Sequence, residues 1–289
     1  MNAAPPLIAG PPPLPEPQSA GTVPINRRRW WIHLFLITAY ILFVGVIGKV
    51  HRKAREHFPA LSHTARGLLI VCTIELSVFA LVYGLALVAS RASRDDLLLR
   101  WRHGFWPVPQ GIGYSIVIRF AIGMVTMAAS VVLMVTHLMT PQSLQQFFAD
   151  NRPEVETIVD ISAMHQNPAY FWLTLTLVSF VVAGLREELW RSAFLAGLRT
   201  LWPQHFGIRT GRITAVVIAA IVFGFAHLGM GLIAVLIAAL IGLGLGLIMI
   251  FHRSIWPAVI AHGMFDATTL ALLPWIAKKL PDLQRTLGH

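Results

Sequence analysis

The chain has 289 residues, of which 56% are hydrophobic and only 12% charged, and its mean hydropathy is +0.66. Soluble domains average roughly 25% charged residues, so the composition excludes an ordinary soluble globular protein and points to an all-α, polytopic transmembrane helical bundle. The net charge of +10 sits in short clusters beside apolar runs, with no basic stripe interleaved with aromatics, which reads as topology signals and contacts with membrane lipids and excludes a nucleic-acid-binding face.

Residues 1–26, with the run PPLIAGPPPLPEPQ, read as a Pro-rich tail of extended or disordered chain whose PPPLP string has the form of a PxxP ligand. Arg27, Arg28 and Arg29, followed by Trp30 and Trp31, make a basic and aromatic membrane edge, and the apolar run up to Val50 is long enough to span. Further spans are expected at 68–90, 112–138, from 169 onward, 213–227, 232–251 and 255–276. Seven spans is the expected count, with an eighth if the run from 169 breaks at its charged cluster. The chain divides accordingly into the tail 1–26, N-terminal helices 27–168, a core 169–276 and a C-terminal tail 277–289. Cys72 is the only cysteine, lies in an apolar run, and reads as a small core hydrophobe.

The tail, the 91–102 loop and the loop holding Arg199, Arg209 and Arg212 are basic, whereas the 141–170 loop carries Asp150, Glu154, Glu156 and Asp160 against Arg152. The positive-inside rule then makes this a multi-pass cell-membrane protein with a cytoplasmic N-terminus. A loop holding Arg52, Lys53, Arg55 and Arg66 would run against that rule. Glu75 and Arg119, inside the second and third runs, are candidates to pair across helices. Gly242 and Gly246 give a small-xxx-small spacing for close helix approach; no strand precedes them, so a dinucleotide fingerprint is excluded.

The chemistry concentrates late in the chain. In GLREELWRSAFLAGL, Glu187 and Glu188 stand between Arg186 and Arg191 and follow an apolar run with no turn signal. An ionisable group at membrane depth costs at least ~2.5–3.5 kcal/mol, so four together demand internal partners and mark a working site, unless the helix has already left the bilayer there. Glu187 and Arg191 have the i,i+4 spacing of an ion pair. His227 closes IVFGFAH with Phe223 four residues before it, and His262 and Asp266 share one helical face in IAHGMFDA.

Glu187 lies fourteen residues before the 201–207 break and His227 about fifteen after Arg212, so antiparallel neighbours put them at similar depth, ~20 Å from the shared turn. His262, only nine residues past Arg253, reaches that depth if the chain breaks around Gly229 and Gly231. A carboxylate with two imidazoles supports either a general base acting on water or a His₂Glu zinc site, although no HExxH is present.

These residues resemble the CPBP family of intramembrane proteases, which includes CAAX-prenyl endopeptidases and the bacteriocin-processing and immunity proteins of the Abi group. Its signatures are EExxxR, FxxxH, and HxxxN or HxxxD. Here the second is FGFAH, from Phe223 to His227, and the third is HGMFD, from His262 to Asp266; the first is EELWR, one residue short. The shortening leaves Glu187 and Glu188 as alternatives for the water-activating carboxylate, with Glu187 preferred.

The resemblance covers 169–276 and implies a glutamate-type endopeptidase with no required cofactor, zinc remaining open. By resemblance Glu187 or Glu188 deprotonates water, Arg191 positions the carboxylate, and His227, His262 and Asp266 bind the scissile carbonyl. The implied substrate is a peptide or protein, lipid-modified ones included. A non-catalytic immunity or scaffold protein with the same fold is the alternative, favoured by the shortened signature. A transporter would carry inverted repeats, and none is seen.

Overall fold

The computed structural model describes residues 26–55, 63–101, 104–155 and 159–287, and side chains at 26–46, 63–101, 104–155 and 159–273. Every regular element among them is helical. The chain runs through α1 (Arg27–Arg55), α2 (Ala65–Ser90), α3 (Pro107–Val135), the short α4 (Pro141–Asp150) and α5 (Ile161–Gln166), then α6 (Pro168–Leu173) and a π-helical stretch (Thr174–Leu185). It continues through α7 (Arg186–Leu201), α8 (Pro203–Phe206), α9 (Arg209–Ala226), a 3₁₀ turn (Leu228–Met230), α10 (Leu232–His252) and α11 (Trp256–Leu287).

Six helical stretches are long and apolar enough to cross a bilayer, and α11 supplies the seventh of the runs expected from sequence. The polytopic all-α expectation holds. The eighth span does not form, because α6, the π-helical stretch and α7 make one continuous helix, Pro168–Leu201, that passes through the charged cluster unbroken. Asn167 caps its start by accepting from the Ala169 and Tyr170 amides, with Pro168 at the first position. The expected loop with Arg52, Lys53 and Arg55 is helical backbone instead, since α1 runs to Arg55. The tail and its PPPLP string lie outside the described residues.

α7 is the axle of the bundle, with every residue from Trp190 to Leu198 buried. The Trp190 indole donates to the Ile37 carbonyl of α1 at 2.9 Å, and His33 of α1 is wedged between the carbonyls of Ala86 on α2 and Ala193 on α7, 3.0 Å from each. A core of aromatic and aliphatic side chains from α1, α2, α7 and α9 closes one side; a second joins α3, α10 and α11. α9 and α10 pack tightly because Gly242 and Gly246 face Ala220 and Val216, as the spacing predicted. The outward faces of α2 and α3 carry Ile74, Leu81, Val88, Val117, Phe120 and Met124, all exposed, as lipid contact requires.

Candidate active site

Four polar segments meet where the π-helical stretch hands over to α7. An i→i+5 winding is uncommon and gathers at functional sites; here the Ser179 hydroxyl donates to the Thr174 carbonyl five residues back, at 3.0 Å. The stretch lies hard against α11. A Cβ at Gly184 would stand 3.0 Å from the Val259 carbonyl, and one at Gly263 would collide with the Phe180 ring. Two missing side chains therefore bring the first turn of α7 level with His262.

Glu188 and Arg191 are fully buried and ion-paired, one turn apart. The contact is an ion pair without aligned hydrogen bonds, and the guanidinium lies 4.6 Å over the face of Phe223. The other demand on Glu188 comes from α11, where the His262 Nδ1–H donates to its Oε1 at 3.0 Å. Glu187 points another way. Its Oε1 accepts from Arg186 Nη2 at 3.0 Å, and its Oε2 stands 3.8 Å from His262 Nε2. Asp266, one turn beyond His262, places Oδ2 3.6 Å from the same Nε2. Neither distance is a direct hydrogen bond, and each leaves room for a shared water or a substrate atom.

His227 ends α9 and its ring is held by donation from Nδ1–H to the Phe223 carbonyl, at 2.9 Å. The neutral ring therefore presents Nε2 as an acceptor. The chain does break as expected after this point, through the 3₁₀ turn to Gly231 at φ +103°, a conformation suited to glycine. The break brings His227 to the site's edge, where it is linked through Phe223, whose ring centroid is 4.7 Å from His227 and 6.3 Å from His262.

Two sequence expectations are corrected. Arg191 pairs with Glu188 at i,i+3 and not with Glu187, because the partner on the Glu187 side is Arg186. Glu75 and Arg119 do not meet. Glu75 of α2 reaches Arg186 Nη1 at 3.1 Å, and Arg119 of α3 stacks 4.4 Å over Phe265 and bonds the Phe265 carbonyl at 2.5 Å and the Thr268 hydroxyl of α11. Arg186 is thus the member of the cluster whose partners charge spacing missed, bridging Glu75 to Glu187. Its three-residue sequence REE held the signal, because an arginine beside two carboxylates at membrane depth needs an acceptor.

The donor set fits a metal poorly. Among the described residues no three His, Cys, Asp or Glu side chains converge to hold an ion. Two guanidiniums already occupy the carboxylates a cation would need.

Residues 168–268 match the family model described as Rce1-like, type II CAAX prenyl endopeptidase. No curated protein and no solved structure matches the chain. Both the second and third signatures, and the carboxylate cluster, fall inside the matched span. The helical core at 168–268 is thus similar to the Rce1-like group of the CPBP intramembrane proteases, and that similarity supports the family resemblance carried by its motifs.

Proposed function

We propose that this core is a glutamate-dependent intramembrane endopeptidase that hydrolyses a peptide bond close to the membrane surface. The observation that carries the proposal is His262, held by Glu188 at 3.0 Å while its other nitrogen faces Glu187 Oε2 at 3.8 Å. Glu187 is the base and Glu188 the holder. Glu188 is sealed, ion-paired and hydrogen-bonded, whereas Glu187 has only one oxygen committed.

Water shared by Glu187 Oε2 and His262 loses a proton to Glu187 as its oxygen attacks the scissile carbonyl carbon. His262, carrying a proton on each nitrogen, donates from Nε2 to the developing oxyanion. Asp266 supports that N–H, and His227 Nε2 accepts from the water or the substrate amide. Glu187 then returns the proton to the amine as the C–N bond breaks. Arg191 acts on the site through Glu188, and Arg186 through Glu187. No step needs a cofactor or metal.

The substrate class follows the family, a peptide or protein with a lipid-modified C-terminal segment, and the basic membrane edge of α1 would lie in the cytoplasm. The test is cleavage in proteoliposomes of a fluorogenic peptide, offered with and without a prenylcysteine. Glu187→Gln, His227→Ala and His262→Ala should each lower turnover by roughly 10²–10⁴-fold with insertion and elution unchanged. Variants that cleave like the parent overturn the mechanism. A parent protein that cleaves neither peptide instead supports a non-catalytic immunity or scaffold role, the reading the shortened EELWR favours.

A further inference from the structure

At the end of the bundle away from His227, Arg199 and Arg253 are held to one short segment. Arg199 Nη2 donates to the Asp96 carbonyl and the Ile255 amide, two residues past Arg253, to the Leu98 carbonyl, and Arg212 stands within Coulomb range of Arg199. Arg199 lies in the last turn of α7, Arg212 in the first turn of α9, and Arg253 is the left-handed residue that ends α10. Arg212 and Arg253 are exposed; Arg199 is half-buried, and both stand within Coulomb range of it. Like charges drawn together lose stability unless an anion sits among them.

The protein supplies little of one. Asp96 is the carboxylate near Arg199, and its Oδ2 already accepts from the amide and hydroxyl of Ser93, at 2.8 and 2.7 Å. Arg199 Nη2 takes a neutral carbonyl, that of Asp96, at 2.6 Å, and its Nε is buried with no protein acceptor. Arg212 Nε likewise takes only the Gly207 carbonyl, at 3.1 Å. Among the described residues, no carboxylate forms a salt bridge with any of the three.

The place is also marked by depth. Trp202 follows α7 directly and meets Trp31 edge-on at 5.0 Å; Trp31, Trp101 and Trp106 are exposed at the same end. Indole belts of this kind sit at the level of lipid headgroups. Guanidiniums match phosphate oxygens with paired, charge-assisted hydrogen bonds.

We propose that Arg199, Arg212 and Arg253 form a binding site for the phosphate of an anionic phospholipid headgroup. The site is independent of the peptidase reading. Full-length protein in neutral detergent is titrated with phosphatidylglycerol and with phosphatidylcholine, and bound lipid is counted by native mass spectrometry.

Phosphatidylglycerol should bind first, and Arg199→Gln should raise its apparent Kd roughly fivefold, as expected for one guanidinium at an anionic surface. Arg212→Gln with Arg253→Gln, both on exposed side chains, should erase the preference while the protein still elutes as one species. Removing the same charge at Arg28 and Arg29 should leave the preference intact. Equal binding of the two lipids, or equal loss in the Arg28 and Arg29 variant, overturns the site. Displacement of the lipid by inorganic phosphate at equal concentration would make it a free-anion site and overturn the lipid assignment.

Discussion

Glu188 and His262 are separated by 74 residues of chain and stand 3.0 Å apart in the folded protein. The bond joins the start of α7 to α11, and the same carboxylate neutralises Arg191 in a pocket closed to solvent. One side chain thus serves the fold and the site together.

Glu188→Gln should therefore be costly. It keeps the shape and removes the charge, leaving Arg191 buried and uncompensated at roughly 3–5 kcal/mol. Thermal unfolding in detergent would register a lower Tm. Adding Arg191→Met should recover part of the loss, because the pair is then gone from both sides; purely additive losses would show that the two do not act as a pair.

Glu75→Gln should behave differently. Glu75 is about half exposed and touches the site only through Arg186, so stability should move by less than ~1 kcal/mol. Turnover should fall roughly two- to fivefold, the equivalent of ~0.5–1 kcal/mol, with KM unchanged. Glu75→Asp should restore part of it. Loss confined to KM would place Glu75 at the substrate and not behind Glu187.

The glycines make a graded comparison. Gly263→Ala places a methyl into the Phe180 ring and should cost about 1–3 kcal/mol. Gly246→Ala presses on Val216, with its Cβ 2.6 Å from Cγ1, and should fall in the same range. Gly84→Ala meets nothing within 4 Å and should be neutral or slightly stabilising. Denaturant midpoints of the three, measured side by side, check the order.

Where the helices run was largely legible in the sequence, because the apolar runs are long and most are bounded by arginine, tryptophan or proline. The meeting of His262 with the glutamates was legible only through the resemblance carried by FGFAH and HGMFD, because helix depth alone matched His227 to Glu187 and left His262 short. Partner choice was not. Arg186 and Arg191 each lie within one turn of both glutamates, so spacing alone could not assign the pairs, and Glu75 meets Arg186 because α2 packs against the π-helical stretch and α7.

The role of Phe223 was half visible. Its place beneath His227 follows from four-residue spacing, but its contacts with Arg191 and His262 come from helices that only tertiary packing brings near. The π-helical winding of TLTLVSFVVAGL was invisible, since a uniformly apolar run carries no phase from which a wider turn could be read.

That winding has a consequence for how the chain can change over time. Wide turns hold surplus length, about one residue more per turn than ordinary α-helix. Loss of a residue anywhere in 174–185 can be absorbed by rewinding, delivering REE to the same spot. Downstream there is no such slack, because between Glu188 and Arg191 one deletion would swing the guanidinium off its carboxylate. Indels in descendants of this sequence should accumulate in the first segment and be purged from the second.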